Sequence, residues 1–228
     1  MVNKIFELLK LHYEDIEQDL VEIPLKISNC KIGDFGCGWW YTSLSLMIAL
    51  HANECIGLDK FIVNSLESVQ NEIDVLRELV TSSSDDSFSN DFREKIRHLI
   101  DESRWPEFRQ DDVLKPSNLP HNLDLAYCRL LLRNIESGLY ENLLQGEDGV
   151  SLAINNIVNC INQDGLFCLV EEAGRDFSLY IQQANLTLLR KCRITRNDIG
   201  PAGRMSNKCM GLDTATHDYI IYLCKKEW

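Results

Sequence analysis

Gly36 and Gly38 stand one residue apart, directly after an apolar run that carries Asp34. Glycine lets the backbone take positive φ and lets it approach a ligand with no side chain in the way, so this turn can cradle a small molecule. Asp59 lies 23 positions after Gly36, at the end of the next apolar run, where a carboxylate can accept hydrogens from both hydroxyls of a ribose. Asp111 and Asp112 close a third short run, and Arg129, Glu171 and Glu172 close later ones. Together these residues support binding of a nucleoside-bearing ligand. Asp34 beside the turn would repel a pyrophosphate and would suit a positively charged group.

Positioning such residues requires repeated strand, loop and helix units. Apolar residues at helical spacing predict a helix over residues 3–21, and residues 30–35 read as a strand that feeds the glycine turn and a helix over 41–52. A second unit follows, with a strand over 54–58 and a helix over 62–80. A Ser- and Asp-rich loop and a charged helix over 91–103 read as an insertion, spanning 81–103, between repeating units. Further strands are expected at 108–113, 123–132, 166–170, 193–199 and 219–223, with helices at 151–161 and 179–189 and a loop over 200–217. This alternation implies an α/β domain spanning 1–228 with a mostly parallel sheet, helices on both faces and a helical extension over 1–29. In such sheets ligands bind beyond the carboxyl ends of the strands, where strand order reverses.

The stretch Lys31-Ile-Gly-Asp-Phe-Gly-Cys-Gly-Trp39 resembles the first motif of the class I S-adenosylmethionine-dependent methyltransferases. Ile56 to Asp59 is similar to the second motif, Gln110 to Val113 to the third, Leu123 to Arg129 to the fourth-strand segment of small-molecule members, and Asp164 to Leu166 to the turn into the fifth strand. The resemblance implies a Rossmann-like three-layer sandwich with a seven-stranded sheet whose last strand is antiparallel. It also implies S-adenosyl-L-methionine as cofactor, held by Asp34, Gly36, Cys37, Gly38, Asp59, Lys60, Asp111, Asp112, Val113 and Arg129. Trp40 stands where many members have a third glycine. Each residue also has a plainer reading: Asp59 as a helix cap, Asp111 or Asp112 as an ordinary turn residue, Trp39 and Trp40 as core aromatics, and Arg129 as an ion-pair partner of Glu171 or Glu172. A nicotinamide-binding Rossmann domain is the weaker nucleotide reading, because its third fingerprint glycine would fall on Tyr41.

The implied reaction moves a methyl group to an O, N, C or S atom, with a small metabolite as first choice of acceptor and a protein side chain as second. A domain that binds the cofactor in a regulatory role without turnover is the alternative. If a base is needed, His121, His217 and Glu171 are the candidates. The formal net charge of -12 argues against nucleic acid and anionic membrane surfaces as partners, and the cluster Arg190, Lys191, Arg193 and Arg196 reads as a solvated strand end. None of the nine cysteines forms a C-x-x-C pair, so no metal site is expected, and Cys55, Cys168 and Cys224 sit in apolar runs as small hydrophobes. With no secretion pattern at the N-terminus and no long apolar stretch, the chain is expected to be soluble and cytoplasmic.

Overall fold

Strands buried on both faces must read as nearly continuous apolar runs, and those runs are where the sheet forms. The structure, a computed structural model, describes residues 2–21, 27, 29–38, 40–60, 66–81, 90–101, 104–136, 147–197 and 216–227. Its elements in chain order are α1 (Val2–Val21), β1 (Lys31–Phe35), α2 (Trp40–Leu50), β2 (Glu54–Asp59), α3 (Leu66–Thr81), α4 (Asn90–Asp101), β3 (Glu107–Gln110) and β4 (Leu123–Arg129). They continue with α5 (Leu131–Glu136), α6 (Glu147–Cys160), β5 (Ile161–Glu172), α7 (Ser178–Gln183), β6 (Leu186–Asn197) and β7 (Thr216–Lys226).

The strands form one seven-stranded sheet in the order β3-β2-β1-β4-β5-β7-β6. Pairings from β3 to β5 are parallel, and β7 runs antiparallel to both of its neighbours. Strand order reverses at β1 and β4, so the glycine turn leaves the sheet at the crevice where such folds bind ligands.

Period-two alternation divides the core into two layers. On one face Leu125 and Tyr127 of β4 pack with Leu9 and Ile16 of α1, Leu44 of α2 and Leu76 of α3. On the other, Ala126 and Cys128 pack with Leu132 of α5, Ile154 and Ile157 of α6 and Ile181 of α7. The result is the expected three-layer sandwich. α2 is buried at all positions but one, as befits a helix that is apolar all round, because α1 covers the side turned away from the sheet. Seven of the eight described cysteines are buried free thiols, and burial pushes the Cys55 and Cys168 thiols well up. Among the described residues no helix is long and apolar enough to cross a membrane.

Two expected elements are redrawn. The run over 123–132 is not one strand: β4 ends at Arg129, Leu130 turns through a left-handed conformation (φ 57°), and α5 begins at Leu131. The turn is held from a distance, by the bond from Leu130 N to the Val170 carbonyl (2.9 Å). Likewise the helix expected over 179–189 stops at Gln183, Asn185 turns left-handed (φ 55°), and Leu186 already pairs with Lys226 of β7. In both places a partner far along the chain outweighs the local apolar pattern. β6 thus starts seven residues before its expected onset, and β5 begins at Ile161, ahead of the Asp164–Gly165 turn. Of the loop expected over 200–217, residues 200–215 lie outside those described.

Candidate functional site

Gly36 and Gly38 both take positive φ, 78° and 52°. At Gly36 an added Cβ would also stand 3.0 Å from Leu131 Cβ, so glycine is required there for conformation and for space. The amides of this turn are drawn onto the tip of β2. Gly36 N and Cys37 N donate to the Leu58 carbonyl at 2.8 and 3.1 Å, and Gly38 N donates to Asp59 Oδ2 at 2.8 Å. Three successive amides are therefore engaged inside the protein. A loop built to grip a pyrophosphate would aim them at the ligand.

Asp34 sits on the α2-side face of β1, buried, and its Oδ2 accepts a hydrogen bond from Ser43 Oγ at 2.7 Å. Gly57, its register partner on β2, makes room for that contact, since a Cβ there would stand 2.6 Å from Ser43 Oγ. Burial pushes the Asp34 carboxyl up to about 7; the Ser43 bond opposes this, the Asp59 charge adds to it and Arg129 lowers it.

Next to the turn, a narrow cleft, closed down to about 20 Å³, runs between Gly36, Asp59 and Lys60 on one side and Asp111 to Leu114 on the other, floored by Leu58, Leu131 and Ile135. Its apolar walls and polar rim match the general build of small-molecule sites. The two rim aspartates differ. Asp111 is spent on its own turn, accepting from Asp112 N, Ser117 N, Ser117 Oγ and Asn118 N. Burial would raise that carboxyl, but the amides of Asn118, Ser117 and Asp112 outweigh it and hold it low. Asp112 accepts from Leu114 N at 2.9 Å and faces Lys60 Nζ at 3.2 Å across the cleft mouth. Val113 lines the cleft, and its carbonyl accepts from Asn156 Nδ2 at 2.7 Å.

Other sequence candidates fall in different places. Arg129 pairs with Asp15 of α1 at 3.0 Å, a partner that reading strand tips alone does not name. Glu171 is fully buried, and its Oε1 accepts from Leu132 N at 2.8 Å, capping the start of α5. His121 is exposed and precedes β4, at the edge of the sheet opposite the glycine turn. His217 lies at the start of β7, opposite Arg196, on the same edge as the turn but two strands beyond β4. Trp40 opens α2 with its indole buried, donating from Nε1 to Glu72 Oε2 at 2.6 Å, so the side chain replacing a third glycine turns inward. Trp39 lies outside the described residues.

The sequence reading missed the polar face of α1. His12, Asp15 and Asp19 are buried, and Asp19 Oδ2 accepts from Tyr127 OH at 2.7 Å. Their spacing in line with the apolar stripe of Leu8, Leu9 and Ile16 was the available signal.

A mixed seven-stranded sheet with this strand order, an antiparallel β7 and a glycine turn at the β1/β4 crevice defines a Rossmann-like domain. More narrowly, the fold is that of the class I S-adenosylmethionine-dependent methyltransferases. A solved S-adenosylmethionine-dependent methyltransferase of Clostridium acetobutylicum superposes with a TM-score of 0.54 at 11% identity, covering 95% of this chain and 92% of its own. The N-methyltransferase NodS of Bradyrhizobium japonicum gives 0.53 at 14%, covering 95% and 97%. The [4+2]-cyclase SpnF gives 0.54 at 15%, covering 94% and 80%. No family model matches the chain, and no curated protein matches its sequence.

Proposed function

We propose that this chain is an S-adenosylmethionine-dependent methyltransferase acting on a small-molecule acceptor. The observation that carries the reading is the charge of the crevice: Asp34 and Asp59 flank a glycine turn whose amides are already engaged. Such a site favours a ligand bearing cationic groups over an anionic dinucleotide. NodS, which shares the fold, has been solved in complex with S-adenosyl-L-homocysteine.

When bound, S-adenosylmethionine supplies a methyl group on a sulfonium. Asp59, with one oxygen on Gly38 N, holds the turn and presents its carboxylate to a ribose. Leu58, Val113, Leu131 and Ile135 give the apolar slot for a purine, with Asp112 at its rim for an exocyclic amine. Gly36, Cys37 and Gly38 bring backbone close to the methionine part, and Asp34 balances positive charge there. Alignment and exclusion of water are what the protein contributes to a displacement in which charge disappears.

The test is calorimetric titration of the purified chain with S-adenosylhomocysteine, together with transfer of labelled methyl from S-adenosylmethionine to a panel of amine, hydroxyl, thiol and carbon acceptors. Saturable binding with transfer to any small acceptor is expected. Absence of binding overturns the reading. Tight binding with no transfer to any of them would favour a regulatory module, a reading encouraged by the position of His121 at the sheet edge opposite the glycine turn. Transfer to protein side chains alone would move the acceptor class to protein.

A further inference from the structure

We propose that Asp15, on the N-terminal helix, is a positioning residue for the cofactor site: by pairing with Arg129 it keeps that guanidinium from neutralising Asp34, which stays available to the ammonium of the ligand. The inference rests on the S-adenosylmethionine reading above.

Asp34 stands opposite Tyr127 in the β1–β4 register, and Arg129 lies two residues further along β4 on the same face. Diagonal neighbours on adjacent strands are within reach of a long side chain, so an arginine there is placed to swing onto the buried aspartate. It does not do so: Asp34 takes its hydrogen bond from Ser43, while Arg129 Nη2 lies 3.0 Å from Asp15 Oδ2 with both side chains largely buried. Among the described residues α2 presents Ser43, β2 presents Asp59 and the Cys55 thiol, the turn presents Cys37, and β4 presents Tyr127 and Arg129 on the same face, with the Cys128 thiol on the other face of that strand. Burial pushes the three thiols well up, so they stay neutral. Among the described residues the cation of this set, Arg129, is paired with α1's Asp15, and the negative charge left at Asp34 is what a ligand ammonium would meet.

The position of α1 does not depend on Asp15 alone. Asp19 holds Tyr127 OH, His12 Nδ1 lies 3.2 Å from Thr42 Oγ1, and Leu9 and Ile16 are in the core. A plain anchoring role and the positioning role therefore separate by experiment. Binding of S-adenosylhomocysteine is measured by calorimetry from about pH 5.5 to 8.5 on wild type, Asp15→Asn and Arg129→Gln, with thermal unfolding alongside. Wild-type affinity should rise with pH and level off above about 7, where Asp34 ionises. In Asp15→Asn the released guanidinium turns to Asp34, so the bend should fall by about one pH unit or more and the plateau affinity should drop roughly tenfold. In Arg129→Gln the bend should move the other way, to higher pH. Both variants lose the same ion pair, so a merely structural role lowers the unfolding temperature of each and leaves the bend in place or shifts it in one common direction; either result overturns the inference. A wild-type chain that binds no S-adenosylhomocysteine at any pH removes the cofactor reading itself and this inference with it.

Discussion

Replacing Asp59 by alanine removes a contact made in the free protein and one proposed for the complex. One oxygen of this nearly buried carboxylate accepts from Gly38 N at 2.8 Å and so holds the turn in the free protein. The proposed ribose contact exists only in the complex. A hydrogen bond to a charged group contributes about 1.5–3 kcal/mol, so loss of the ligand contact should weaken S-adenosylhomocysteine binding about 10- to 150-fold. The turn contact acts on folding instead. Water can reach this half-exposed turn, so its loss should cost about 1 kcal/mol, or about 2–4 °C in unfolding temperature. Asp59→Asn tells the two apart, because an amide oxygen still accepts from Gly38 N while the second oxygen becomes a donor. The asparagine variant should unfold at the wild-type temperature yet bind more weakly, and the alanine variant should lose both. Calorimetry and scanning fluorimetry on the three proteins give the answer. Wild-type affinity in both variants would remove Asp59 from the ligand, and wild-type affinity in Asp59→Asn alone would reduce it to a shaper of the turn.

Three further outcomes follow from the same geometry. The folded Asp34 carboxyl is raised to about 7 by burial against about 3.9 unfolded, so its contribution is fully present below about pH 4 and lost as pH rises through 7. Asp34→Asn should therefore gain stability over wild type in urea unfolding of the ligand-free protein as pH climbs through that window, and a difference that stays constant with pH would refute the assignment. Gly57→Ala, whose Cβ would stand 2.6 Å from Ser43 Oγ and 2.9 Å from the Phe108 ring, should lower stability by about 1–3 kcal/mol through overpacking; an unchanged urea midpoint would show that the contact yields. Glu171→Ala should destabilise by about 1–3 kcal/mol through loss of the Leu132 amide contact, while Glu171→Gln keeps an acceptor and should preserve both stability and methyl transfer. Turnover abolished in a well-folded, ligand-binding Glu171→Gln would make it the base after all.

Much of the architecture is local in origin and so was legible. The helical period of Leu8, Leu9, Tyr13 and Ile16 specified α1, and the buried runs of β1 and β2 specified strands. The glycine pair specified a left-handed turn between Phe35 and α2, because few other residues tolerate that backbone. The order of strand tips carrying Asp34, Asp59 and Asp112 follows from that alternation once the sheet is parallel. What the sequence left open depends on partners distant in the chain. Leu130 and Asn185 break apolar runs because Val170 and β7 supply bonds that no local pattern encodes. Asp111 and Asp112 are adjacent and alike in type, and only the path of residues 112–118 around the first decides which carboxylate stays on the cleft rim. Arg129 and Glu171 both end strands and both read as site residues, yet α1 takes one and α5 the other. A buried charge is meaningful only with its partner, and helices packed across the sheet bring those partners from more than a hundred residues away in the case of Asp15 and from 39 in the case of Glu171. Residue type and period thus determined the layers and the turn. Which carboxylates face the crevice was decided by packing, since burial makes every ionised side chain depend on its nearest counter-charge or donor.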